Sequence, residues 1–133
     1  MATCGPQLTL ADQRAKYRPG ELLTGTFYIG PCDLDDVKSV ELSVLWHTEG
    51  KGDEDMAVHH FQRLEPSSLE WREMDRPLPF STRLPNSPLS YNGVILKILW
   101  CVRLRVFMRR GRDMIEELAF QLGNVPVAEL VAS

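Results

Sequence analysis

The sequence predicts an all-β antiparallel sandwich of about seven strands, and three observations carry that reading. Residues 94–108 alternate along one strand: Val94, Leu96, Ile98, Trp100, Val102, Leu104, Val106 and Met108 fall on one face, while Lys97, Arg103 and Arg105 point to the other. A period of two marks a half-buried antiparallel strand, because successive side chains leave the pleat on opposite sides. Six further segments of strand character are separated by turn residues, as in a sandwich. No segment holds a 3.6-residue period long enough to make a competing helix. With 133 residues, 44% of them hydrophobic, the chain 1–133 fits one domain that buries roughly two-thirds of its unfolded surface.

Taken in order, the expected strands are 7–11, 21–29, 37–48, 54–65, 77–84, 93–109 and 114–122. Pro19 and Gly20 turn the chain between the first two. In the third, Val40, Leu42, Val44 and Trp46 share a face. Glu49-Gly50-Lys51-Gly52-Asp53 then supplies a polar, flexible loop, and the fourth strand returns antiparallel through Met56 to Leu64. That hairpin sets His47 opposite about Met56, and His59 and His60 opposite about Val44 and Ser43, the two neighbours pointing to opposite faces. Residues 65–76, where Pro66-Ser67-Ser68 precedes irregularly spaced Leu69, Trp71 and Met74, make a crossover loop with room for a short helical turn capped by Ser67 or Ser68. Pro85 and Pro88 disfavour pairing after the fifth strand. Arg110-Gly111-Arg112-Asp113 closes the hairpin between the sixth and seventh. Residues 124–133 read as an edge strand or a frayed tail. Trp46 and Trp100, each in phase with at least three aliphatic neighbours on its strand, belong to the inter-sheet core.

Eighteen acidic and 15 basic side chains leave a net charge of −3, which does not favour a nucleic-acid or anionic-membrane partner. Cys4, Cys32 and Cys101 are scattered, odd in number and lack a C-x-x-C pair, which argues against a disulfide framework and for a reducing compartment. The opening residues lack the basic and apolar regions of a secretory signal. The longest apolar stretch, broken by Lys97 and Arg103, is too short and charged for membrane insertion. The expected location is cytoplasmic.

Two punctuation motifs go further than the strands they separate. Tyr17-Arg18-Pro19-Gly20-Glu21 followed by Gly25, and Leu84-Pro85-Asn86-Ser87-Pro88-Leu89-Ser90-Tyr91-Asn92-Gly93 leading into the long strand, together resemble one lobe of the arrestin-like superfamily, over roughly residues 7–122. The resemblance implies an immunoglobulin-like sandwich and a protein-binding habit, with Tyr17, Pro19, Gly20, Glu21, Gly25, Leu84, Pro85, Pro88, Ser90, Tyr91 and Gly93 as structural motif residues. Members of that superfamily join two such lobes, whereas this sequence holds one, and it carries neither a P-P-x-Y segment nor an acidic-hydrophobic tail. The resemblance therefore reaches to a fold and to binding, and no further.

No catalytic constellation stands out. His47, His59 and His60 invite a metal, but their positions on the hairpin do not converge, and a zinc site needs three or four ligands. Cys101 lies mid-strand without a partner motif and reads as a small hydrophobe. Asp33-Leu34-Asp35-Asp36 and Asp53-Glu54-Asp55 match no calcium loop. No phosphate-binding, dinucleotide or nucleophile-elbow motif is present, so no cofactor or metal is expected. The candidate partner-binding residues are Lys97, Arg103, Arg105 and Arg109, a basic row on the odd face of the long strand continued by Arg110 and Arg112; guanidinium groups grip carboxylate or phosphate bidentately. Glu116 and Glu117, across the hairpin loop, offer the competing reading of simple ion pairing. The sequence thus points to a non-enzymatic interaction or scaffold module with a protein partner, a second copy of the chain included. The alternative is a small ligand-binding or catalytic sandwich with a closed pocket.

Overall fold

The computed structural model describes residues 4–52 and 54–123, and all seven expected strands are in it. β1 (Gln7–Leu10), β3 (Leu22–Tyr28) and β6 (Leu78–Arg83) form a small sheet in the order β1-β3-β6. The larger sheet has the order β2-β9-β8-β4-β5, from β2 (Lys16–Tyr17), β9 (Met114–Leu122), β8 (Leu96–Met108), β4 (Val37–Gly50) and β5 (Met56–Leu64), with β7 (Tyr91–Asn92) paired to β8. The architecture is the all-β sandwich that the alternation predicts, in the immunoglobulin-like form that the resemblance implies. β2 and β7 were not foreseen, and β2 departs from the antiparallel rule: it runs parallel to β9, with Lys16 beside Gln121 and Tyr17 beside Leu122. The segment 124–133 and Asp53 of the hairpin loop lie outside the described residues.

The core forms where even-numbered residues of the larger sheet meet the small sheet. Trp100, Val102, Leu104 and Val106 of β8 and Val40, Leu42 and Val44 of β4 pack against Leu23, Phe27, Phe80 and their neighbours. The expected buried face of 94–108 is too long at its start. The strand begins at Leu96, Val94 is fully exposed, and Trp46 is partly buried where Trp100 is fully so. The covering strands are four to seven residues long against 13 and 14 for β8 and β4, so the ends of the long strands extend past them. The crossover contains one 3₁₀ turn, Trp71–Asp75, whose Trp71 and Met74 are buried in the core while Leu69 is exposed. Neither serine caps it: Glu70 stands at the N-cap, and the Ser68 hydroxyl accepts from the Glu65 N–H at 2.9 Å.

The β4–β5 hairpin sets His47 opposite Met56 as expected, but its register shifts between Val44 and Leu45. Val58 faces Leu45 and His60 faces Val44, so His59 is the extra residue of a β-bulge. The bulge corrects the expectation of opposite histidines. His59 turns inward, with Nε2 2.8 Å from the Arg83 carbonyl and its ring edge-on to Trp100 at 6.1 Å. His60 lines a cleft beside Phe80 and Ser81 on the same side.

The two motifs are bonded to each other and then to both sheets. Gly20 takes the positive φ of its turn (79°), its N–H donates to the Leu84 carbonyl at 3.0 Å, and the Leu84 N–H donates to Glu21 O at 2.9 Å. At the other end of the second motif the Ser90 N–H donates to Leu122 O and the Leu122 N–H to Ser90 Oγ, both at 2.8 Å. The Trp100 indole donates to Pro88 O at 2.8 Å. Tyr17 is buried edge-on to Phe120 at 5.6 Å, Pro85 is half-buried and Tyr91 is exposed. Gly93 donates to Leu96 O at 3.0 Å, so close that a Cβ would lie 2.8 Å from that oxygen.

Glu21 makes this region sensitive to acid. Its hydrogen bond to Arg14, then the N–H of Arg18, hold its carboxyl down from an ordinary 4.5 to about 2. Because the folded value lies below the unfolded one, the unfolded chain binds more protons between them. The contribution is whole above pH 4.5 and is lost as the pH falls toward 2. Urea midpoints across that window are expected to fall more steeply for the native protein than for Glu21→Gln, and parallel curves would remove the role assigned to this carboxylate.

Cys4 and Cys32 are joined as a disulfide with Cα atoms 4.7 Å apart, tying the chain before β1 to the loop after β3. This corrects the expectation of unpaired cysteines and removes its argument for a reducing compartment, since such bonds persist in oxidising ones. Scattered positions in sequence hid a pair that β1–β3 pairing brings together. Among the described residues no helix is long and apolar enough to cross a membrane.

Candidate functional site

The larger sheet turns its odd-numbered β4 and β8 residues away from the core, and cross-strand register arranges them in rows. Reading from β5 through β4 and β8 to β9, these are Arg63–Glu41–Arg105–Ile115, Phe61–Ser43–Arg103–Glu117 and Val58–Leu45–Cys101–Ala119. Met56, His47 and Leu99 continue the pattern. On the two flanking strands Met56, Val58, Phe61 and Ile115 are 53, 47, 52 and 55% exposed. Leu45 and Cys101 in the middle are 1 and 5% exposed although they point outward. At the Leu45–Cys101 row the face is therefore a low floor, with exposed apolar side chains on the flanking strands and the charged Glu41, Arg103 and Arg105 in the rows beside it. Sequence reading missed it because the bulge hides it: Val58 and Phe61, three apart, belong to opposite faces under strict alternation and share one here.

The basic row does not form a common anion cup. Lys97 and Arg109 stand about 40 Å apart along the strand. Arg103 is held by Glu117, which is the ion-pairing alternative; Glu116 is in register with Leu104 and so belongs to the inner side. Lys97 sits opposite Glu49, and Arg109 is exposed beyond the strand, its N–H donating to Asp36 O at 2.9 Å. Arg105 differs from the others. Its guanidinium lies 4.9 Å over the Phe107 ring, and its buried Nε has no hydrogen-bond partner. The neighbouring Glu41 carboxylate is 3.7 Å from Arg63.

On the β8–β9 side of this face a depression of about 560 Å³ brings His47, Glu49, Cys101 and Glu117 to its lining. The chemistry of a cysteine nucleophile is not favoured there. Burial first, and the Glu117 charge second, push the Cys101 thiol up to about 11, leaving almost no thiolate near neutrality. His47 Nε2 faces Glu49 Oε2 at 3.3 Å rather than the sulfur. Iodoacetamide at pH 8 is expected to leave Cys101 unmodified in the native protein and to alkylate it in urea; rapid native labelling would reopen a nucleophilic role. His47 faces outward while His59 and His60 face inward, and among the described residues no three His, Cys, Asp or Glu side chains converge on a metal position.

The sheet order and the two-layer packing define a mostly antiparallel β-sandwich fold. Among solved structures, Spo0M, the sporulation control protein from Bacillus subtilis, superposes with a TM-score of 0.59 at 18% identity, covering 92% of this chain and 49% of its own. This chain thus spans about half the length of Spo0M. The superoxide reductase (neelaredoxin) from Ignicoccus hospitalis superposes with a TM-score of 0.53 at 10% identity, covering 92% of this chain and 83% of its own. At these identities the likeness is one of fold alone. No family model and no curated protein matches the chain.

Proposed function

We propose that this protein is a non-enzymatic interaction module of arrestin-like type that docks a protein on the outer face of its six-stranded sheet. The observation that carries the reading is the apolar exposure of Met56, Val58, Phe61 and Ile115 on the face that also holds the uncharged Leu45 and Cys101. Apolar patches of more than a few hundred Å² with a polar rim mark binding surfaces, and here Arg103–Glu117 and Glu41–Arg63 supply charged neighbours. Arg105 is the member of the basic row best placed to contribute, because its charge is held against Phe107. Arginine beside aromatic and aliphatic side chains is the composition of an energetic hot spot. The described function of Spo0M as a control protein agrees with a regulatory binding role, and the buried protonated thiol of Cys101 supports the non-enzymatic side of the reading.

Affinity purification of the tagged protein beside a Phe61→Asp variant tests it. Proteins that co-purify with the native face are expected to be lost from the variant while its circular dichroism and melting curve stay native. The same proteins recovered equally with both would move the docking surface to the loops or edges.

A further inference from the structure

We propose that the protein docked on this face is a second copy of the same chain, in a two-fold dimer whose axis lies in the interface, parallel to the strands and between β4 and β8. The inference rests on the outer face being the docking surface. An axis so placed leaves each row at its own height and reverses its order, so that β5 lies over β9 of the second copy and β4 over its β8. The row Arg63–Glu41–Arg105–Ile115 then meets Ile115–Arg105–Glu41–Arg63. Arg105 then faces Glu41 of the second copy, and the reciprocal pair forms by symmetry.

The other rows agree with this arrangement. Val58–Leu45–Cys101–Ala119 lies on its own reverse, setting Leu45 against Cys101 and Val58 against Ala119, apolar throughout. Arg103 lies over Ser43 and Phe61 over Glu117, so no like charges oppose each other. The other in-plane axis, perpendicular to the strands and through Cys101, would set Arg105 against Lys97 of the second copy, two cations. Charge therefore disfavours that packing. Sheets stacked face to face keep their strands within about 30° and lie about 10 Å apart, so twist disturbs the outer rows more than the two central strands, where the ion pair lies. Four strands and four alternate rows give a footprint of roughly 500 Å², a small interface beside the 800 Å² or so per partner of a standard one.

Charge reversal in separate chains decides the matter. Sedimentation velocity at tens of micromolar is expected to show a dimer for the native protein and monomers for Glu41→Arg and for Arg105→Glu, each checked for native circular dichroism. An equimolar mixture of the two variants is expected to restore the dimer, because each reversed residue then meets the opposite charge in the other chain. Repulsion within one chain is not relieved by mixing, so only an interchain contact gives that rescue. Should either reversal unfold the chain, Ala119→Arg, at an exposed position facing Val58 of the second copy, is expected to abolish the dimer without touching the ion pairs. A native dimer that survives these variants, or variants that stay monomeric on mixing, overturns the proposal. A native monomer also overturns it but leaves the docking reading standing, which Phe61-dependent co-purification decides separately.

Discussion

Trp100→Ala is expected to cost about 3–5 kcal/mol of folding stability, the range for removing a buried aromatic side chain and leaving a cavity. Trp100 is 1% exposed, its ring packs on Phe120 at 5.9 Å and meets His59 edge-on, and its indole N–H donates to Pro88 O. The substitution thus removes core volume and leaves the Pro88 carbonyl without its donor, so it also loosens the segment that connects the two sheets. The loss should appear as a fall in melting temperature on the order of 10 °C or more, with the urea midpoint moving in the same direction. Trp46→Ala, at a partly covered position, is expected to cost less. A Trp100→Ala protein within 1 kcal/mol of the native stability would contradict the packing described.

Gly25→Val is expected to be nearly as damaging, for a reason that has nothing to do with backbone freedom. A Cβ at residue 25 would collide with the Thr9 carbonyl oxygen and stand 2.9 Å from Phe80 Cζ. The oxygen belongs to β1, which pairs with β3 through Leu10 opposite Gly25. Little can yield there, so the added side chain must separate β1 from β3 or displace a core ring, at a cost of about 1–3 kcal/mol or more. Gly25→Ala already places the offending atom and should capture much of the loss. Hydrogen exchange should show faster exchange across Gln7–Leu10 in either variant. Native protection there would mean that the strands accommodate the methyl group.

How much of this was legible in the sequence follows from what each element depends on. β8 and the β4–β5 hairpin were readable because their side-chain alternation is local, and the turns of both motifs because Pro19 and Pro85 fix the backbone while Gly20 and Gly93 admit conformations closed to other residues, wherever they occur. What stayed hidden depends on partners distant in sequence. The overhang that exposes Val94 follows from the shortness of the covering sheet. The Cys4–Cys32 bond follows from β1–β3 pairing. The candidate face was obscured by a single inserted residue, His59, which moves Phe61 onto the side of Val58. The basic row was visible as a pattern, but the contact between Arg103 and Glu117 depends on the pairing of β8 with β9.

The parallel pairing of Lys16 and Tyr17 with Gln121 and Leu122 has a consequence for synthesis. As the chain leaves the ribosome, β2 has no partner until residue 122 has emerged, and Tyr17 cannot settle against Phe120 before then. Closure of such a long loop is entropically expensive and comes late, in the slow class of folding set by distant strand pairings. The nascent chain therefore exposes the unfinished edge of its larger sheet throughout translation, a period in which chaperones rather than native contacts must guard it.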